Sequence, residues 1–179
     1  MSHPDHFALF ALPVRFAIDD GSLAQAYQLV QSKVHPDRYA SASAAERRVA
    51  MQWAARANEA FRTLRSPVAR AQYLCEQAGV PVETGAALPP EFLVRQMNWR
   101  EALEEAAHDP ALVDALESTM SAERDRLIGE IGRAIDERGD HATAAPLVRQ
   151  LMFVERFAED IRAARDAGAA AAAHRQASS

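Results

Sequence analysis

The chain has 179 residues, of which 49% are hydrophobic and 25% charged, with a net charge of −5. That composition is ordinary for a globular protein, and the 7 glycines among abundant alanine favour helix. No apolar run approaches the ~20 residues a membrane span needs, and the lone Cys75 excludes an intrachain disulfide or a multi-cysteine metal cage.

Along the chain, the apolar stretch Phe7–Val14 has no preceding basic region and no small-residue cleavage site after it, so a secretory signal is not expected. With no disulfide, a cytoplasmic setting is. Ser22 can cap a helix whose apolar side is Leu23, Tyr27, Val30 and Val34, and Pro36 disfavours helical backbone at His35. A polar loop should follow, then a helix from about Ala44 to Leu64 with Ala50, Trp53, Ala54, Ala57, Phe61 and Leu64 on one side. Ser66-Pro67 is a cap followed by proline at the first helical position, and Gly79-Val80-Pro81 should close that helix. Residues 79–87 read as a linker. Three more helices should follow. One runs from Glu91 to about His108, one is capped by Asp109-Pro110 and ends near Gly139, and one starts around Pro146. Leu112, Leu116, Leu127, Ile131 and Ile135 mark the apolar side of the second, and Leu147, Leu151, Val154, Ala158 and Ile161 that of the third. Amphipathic helices joined by short turns make a bundle. The fold class is therefore all-α. The expected division is residues 1–78, a linker 79–87, a bundle 88–167, and a disordered tail 168–179.

Charge divides along the same lines. Residues 22–65 carry seven basic and three acidic side chains, whereas residues 66–179 carry twelve basic and nineteen acidic ones. No helix has a dense Lys/Arg stripe, so a duplex-DNA partner is not expected.

His35-Pro36-Asp37 lies where an amphipathic helix stops and a loop begins, at the tip of an expected antiparallel helix pair. Proline fixes the backbone there. His and Asp offer a donor, an acceptor and a charge to a partner surface. A second copy, His3-Pro4-Asp5, has no helix before it and reads as a decoy. Nothing in the sequence gives His35 a nucleophile or third group to work with as a general base, and the other histidines show no metal-ligand spacing. No catalytic residue, metal ligand or cofactor is expected.

The segment Val30–Tyr39 resembles the second helix and loop of J-domain proteins. Asn58–Pro67, with Arg70-Ala71-Gln72-Tyr73, resembles their third helix and its exit. The opening Asp5-His6-Phe7-Ala8-Leu9-Phe10-Ala11-Leu12-Pro13 is similar to that of one branch, the HscB co-chaperones of iron–sulfur cluster assembly, with Ala11 where the branch usually has glycine. Phe92–Glu105 also resembles that branch. The resemblance implies a J-domain with an antiparallel hairpin followed by a three-helix client-binding bundle. It implies a DnaK-type (HscA-like) chaperone ATPase as the partner of Lys33, His35, Pro36, Asp37 and Arg38. The second helix of J-domains is usually rich in Lys and Arg, and here it holds only Lys33. General DnaJ proteins add a Gly/Phe-rich linker and zinc modules, which this sequence lacks.

The helix from Glu91 has an unusual distribution. At 100° per residue, Phe92, Gln96, Trp99, Leu103 and Ala106 fall within about 40° of one direction. Leu93, Val94 and Met97 lie elsewhere, interleaved with Glu101, Glu104 and Glu105. Phe153 likewise lies off its helix's stripe. Such residues either pack against a further element or form an exposed apolar patch with an acidic rim, suited to a protein partner. In the HscB branch the matching face holds the iron–sulfur scaffold protein (IscU type), so the resemblance implies scaffold binding by Leu93, Val94, Met97, Glu101, Glu105 and Phe153. Two other readings remain: a J-domain co-chaperone with a different client, and a small helical metal-binding protein or enzyme.

Overall fold

A computed structural model describes residues 5–34, 38, 42–83, 85, 87–106 and 109–177, with side chains described as far as residue 170. The elements in order are α1 (His6–Leu9), α2 (Asp20–Val34), α3 (Ala44–Arg65), α4 (Pro67–Gln77), α5 (Pro90–Ala106), α6 (Pro110–Gly132) running into a π-helical turn (Arg133–Glu137), and α7 (His141–Ala177). The fold is all-helical: α2 and α3 form the hairpin expected of a J-domain, and a bundle of α5, α6 and α7 follows. None of these helices is long and apolar enough to cross a membrane.

Local chemistry sets the boundaries. Ser43 and Glu46 form a reciprocal capping box at the start of α3, each side chain taking the other's backbone N–H. The Ser66 hydroxyl accepts from Ala69 N with Pro67 at the first position of α4, and the Asp109 carboxylate accepts from Ala111 N ahead of Pro110. At α2 the expectation is corrected. Its cap is supplied by Asp19, whose carboxylate accepts from Ser22 N at 2.6 Å, so Ser22 lies inside the first turn. That hydrogen bond holds the Asp19 carboxyl below its ordinary range. Similarly, α7 starts at His141 and not at Pro146. Asp140 accepts from Thr143 N at 3.0 Å and nucleates the helix before the proline is reached. The last helix runs on to Ala177, beyond residue 168 where the tail was expected to begin, and the alanine run favours helix there.

Two helices end in the same way. After α4, Gly79 N donates to Glu76 O and Val80 N to Cys75 O, with Gly79 at φ +75°. After α1, Ala11 N donates to Ala8 O and Leu12 N to Phe7 O, with Ala11 at φ +51°. Both are Schellman closures, which call for a left-handed residue. Only the first has glycine, so Ala11 holds a left-handed backbone that the glycine usual in the resembling branch would adopt without strain. A left-handed backbone costs a Cβ-bearing residue about 1–2 kcal/mol, of which glycine's freer unfolded chain gives back about 0.4–1 kcal/mol. Ala11→Gly is therefore expected to raise the melting temperature by roughly 1–3 °C, readable by calorimetry.

The core runs from Phe7, Phe10, Phe16, Leu23, Leu64 and Leu74 in the N-terminal half to Phe92, Trp99, Leu127, Leu151 and Ile161 in the bundle. Tyr27, Val30 and Phe61 are partly buried against it. Two expected core residues are in fact open: Trp53 is 38% exposed and Leu112 is 50% exposed. Trp53 instead lies under the Arg56 guanidinium, 5.3 Å from its ring centre. The α4 helix lies along α7, with Gln72 Nε2 3.6 Å from Met152 Sδ and the Cys75 thiol facing His141 O.

Candidate functional site

The hairpin is held by an aromatic and polar stack. The Tyr27 ring lies 4.2 Å from the Phe61 ring, and its hydroxyl donates to Asn58 Oδ1 at 2.7 Å. Gln31 Nε2 donates to the Tyr27 hydroxyl at 2.8 Å, one turn further along α2. These contacts tie the middle of α2 to the second half of α3, and at the other end of the hairpin Val34 lines one cleft with Ala45, Glu46 and Val49 of α3. His35, Pro36 and Asp37 lie outside the described residues. Lys33 and Arg38 flank them and are both exposed. Arg38 Nη1 donates to Ser32 O at 2.8 Å, placing a cation at the carbonyl end of α2, where the helix dipole favours it.

In the decoy copy, His3 and Pro4 also lie outside the described residues, but Asp5 has a structural task. It caps α1 through Phe7 N and accepts the Tyr73 hydroxyl at 2.6 Å, while the Tyr73 ring stacks on His6 at 4.4 Å. Cys75 is wholly buried, and burial pushes its thiol up to about 11, which makes it a poor nucleophile.

On α5 the helical-wheel reading separates cleanly. Phe92, Trp99 and Ala106 are buried, whereas Leu93, Val94 and Met97 are 44%, 57% and 62% exposed. Glu101, Glu104 and Glu105 are exposed on the same helix. The result is an apolar triad with an acidic continuation. Phe153 takes the packed alternative: it is only partly exposed, in ring contact with Phe92, Trp99 and Phe157 at 5.8–6.3 Å. Single-helix periodicity could not anticipate this, because the partners come from α5 as well as α7.

What orients α5 was also not evident beforehand. Arg95 packs its guanidinium 4.8 Å from the Trp99 ring centre and pairs with Glu123 of α6 at 2.6 Å. Glu123, with a side chain 7% exposed, also pairs with Arg126 at 2.6 Å. Burial pushes the Glu123 carboxyl up, but hydrogen bonds from Arg126 and Arg95 outweigh it and leave the group below its ordinary value of 4.5. A depressed carboxylate contributes stability above the unfolded value that is lost as pH falls through the folded one. The α5–α6 contact is thus expected to weaken only below about pH 4.5, with Glu123→Gln removing that acid-sensitive component from melting curves taken across pH 2–6. The only sequence cue was the spacing Glu123-Arg126-Glu130, an i, i+3, i+7 ladder.

Residues 88–162 match the family model described as the HSCB C-terminal oligomerisation domain. A co-chaperone protein HscB homolog of Bordetella pertussis is 55% identical over 166 residues, spanning 92% of this chain and 98% of that one. A Cupriavidus taiwanensis co-chaperone protein HscB homolog is 49% identical, spanning 90% of this chain and 94% of its own. Among solved structures, the chaperone HscB from Vibrio cholerae superposes with a TM-score of 0.83 at 28% identity, covering 92% of this chain and 99% of its own. The human co-chaperone protein HscB superposes with a TM-score of 0.84 at 26% identity, covering 89% and 81%.

Proposed function

The chain belongs to the HscB family of co-chaperones, and from that premise we propose that it is a two-site adaptor acting in the cytoplasm. The loop His35-Pro36-Asp37, with Lys33 and Arg38, docks on the ATPase domain of a DnaK-type (HscA-like) chaperone and stimulates hydrolysis. The face of α5 bearing Leu93, Val94, Met97, Glu101 and Glu105, with Phe153 beneath it, holds an iron–sulfur scaffold protein of IscU type. Residues 1–78 carry the first task and residues 88–167 the second. Hydrolysis stimulated while the scaffold is in place transfers the scaffold to the chaperone and eases cluster release.

The observation that carries the client half is the exposed Leu93-Val94-Met97 triad beside exposed glutamates. Apolar surface left open on a helix that has its own buried stripe costs solubility without aiding the fold, and the natural reason for keeping it is a partner. The chaperone half is carried by the family. The reaction belongs to the chaperone, so this protein works through differential binding to states of another enzyme and needs no cofactor of its own.

The test is a pair of measurements on the purified chain. Steady-state ATPase of an HscA-type chaperone should rise when the chain is added. Calorimetric titration should detect a complex with an iron–sulfur scaffold. Stimulation without scaffold binding would reassign the client, and absence of both would overturn the reading.

A further inference from the structure

Two segments far apart in sequence meet at one carboxylate. Phe16 N donates to Asp136 Oδ1 at 2.6 Å, and Ala17 N donates to Asp136 Oδ2 at 2.8 Å. Both donors lie in the loop between α1 and α2, while Asp136 belongs to the π-helical turn that ends α6. The Asp136 side chain is 10% exposed, and Arg15, 53% exposed, approaches it from outside at 3.7 Å.

The same loop is anchored from below. The Phe16 ring is buried against Gly132, where a Cβ would stand 3.5 Å from the ring. Arg70 of α4 covers the ring at 5.1 Å and donates to Leu64 O at 2.5 Å. Burial pushes the Arg70 guanidinium down from its ordinary value, and the charges of Asp20 and Asp136 oppose that.

These contacts differ in kind from the rest of the seam between the two halves. The α4 helix, which packs along α7, buries Ala71, Leu74 and Cys75, and apolar contact is non-directional, so it resists separation more than sliding. A carboxylate taking two consecutive backbone N–H groups fixes distance and direction together, because charge-assisted hydrogen bonds are short and geometrically demanding. The π turn adds a residue to the helical register at this point, and such turns recur where a helix must re-aim a side chain for a task.

We infer that Asp136 is a positioning residue: its grip on the Phe16-Ala17 backbone fixes the α2–α3 hairpin relative to α5, so that the chaperone-facing end and the client-facing patch sit at one set offset. This inference rests on the two-site reading above. It makes the coupling between sites, and not either binding event, the property Asp136 controls. With the pin removed, each surface is intact but the bound scaffold is no longer delivered in a fixed direction.

The experiment uses the full chain. Spin labels at Leu29→Cys on α2 and Glu91→Cys on α5, both exposed positions, report the distance between the halves, and buried Cys75 stays unlabelled. The unmodified sequence background should give one narrow distance, and Asp136→Ala should broaden and displace it. In chaperone assays, Asp136→Ala should keep its stimulation in the absence of scaffold and its affinity for scaffold. The additional stimulation that scaffold brings should fall on the order of tenfold, within the usual range for coupling between two sites. A merely structural loss would lower all three together. Asp136→Asn keeps one acceptor oxygen and is the variant to read should Asp136→Ala fail to fold. An unchanged, narrow distance in a folded variant overturns the inference, as does an undiminished scaffold-dependent increment. If the parent chain itself shows no such increment, the two-site reading fails, and the distance measurement still decides whether Asp136 is the pin.

Discussion

A His35→Gln variant is expected to fold like the parent and to leave the chaperone ATPase at its basal rate. The hairpin is built on Leu23, Tyr27, Phe61 and Leu64, with Asn58 and Gln31 closing the polar side. Those contacts are made by residues within α2 and α3 themselves, so far-ultraviolet circular dichroism and melting should be nearly unchanged. Glutamine keeps a donor and an acceptor but loses the ring and the ability to become cationic. If stimulation depends on His35 favouring one state of the chaperone over another, loss of that differential contact removes the effect whatever affinity remains. The loss should therefore be complete in a steady-state assay at saturating co-chaperone. Full stimulation by the folded variant would overturn the assignment of the loop. Substituting His3 in the first His-Pro-Asp copy should have no effect on stimulation, because Asp5 of that copy is committed to capping α1 and to Tyr73.

Much of this architecture was legible from residue order because the signals were local. Ser66-Pro67 and Asp109-Pro110 start helices by side-chain chemistry contained within four residues, and both appear where expected. The separation of Phe92 and Trp99 from Leu93, Val94 and Met97 followed from one helix's periodicity, and burial follows it. Where two competing local signals stood close together, the choice went wrong. Pro146 suggested a helix start, but the Asp140 cap six residues earlier governs α7. What stayed invisible was non-local. Asp136 meets backbone more than a hundred residues away, Arg95 reaches Glu123 on the next helix, and Phe153 completes a cluster assembled from two helices. No pattern within a single element encodes such meetings. They also position the proposed sites, whereas the residues proposed for those sites came from local motif and periodicity in the chain itself.

The α5 patch makes the sharpest quantitative contrast. Leu93→Ala, Val94→Ala and Met97→Ala remove side chains that are 44–62% exposed, so each should change stability by no more than about 0.5 kcal/mol. Phe153→Ala removes a ring from the cluster with Phe92, Trp99 and Phe157. Full burial would make that loss about 3–5 kcal/mol, and partial exposure brings it to roughly half. In melting experiments the triple variant should stay near the parent, while Phe153→Ala should fall by several degrees. Binding should reverse the order of severity. Residues at the centre of an interface each cost more than about 1 kcal/mol on truncation, so the triple variant should lose at least roughly tenfold in scaffold affinity. Phe153→Ala should weaken scaffold binding less, and chiefly by loosening α5. Stimulation of the chaperone without scaffold should survive in both. A triple variant that melts far below the parent would mean that the three residues are core, and one that binds scaffold normally would mean that the client docks elsewhere. Charge supplies the last discrimination. Glu101→Lys with Glu105→Lys inverts the acidic continuation of the patch while leaving its apolar part whole. A scaffold held by both components should then bind more weakly, with a changed salt dependence, whereas one held by the apolar triad alone should not respond.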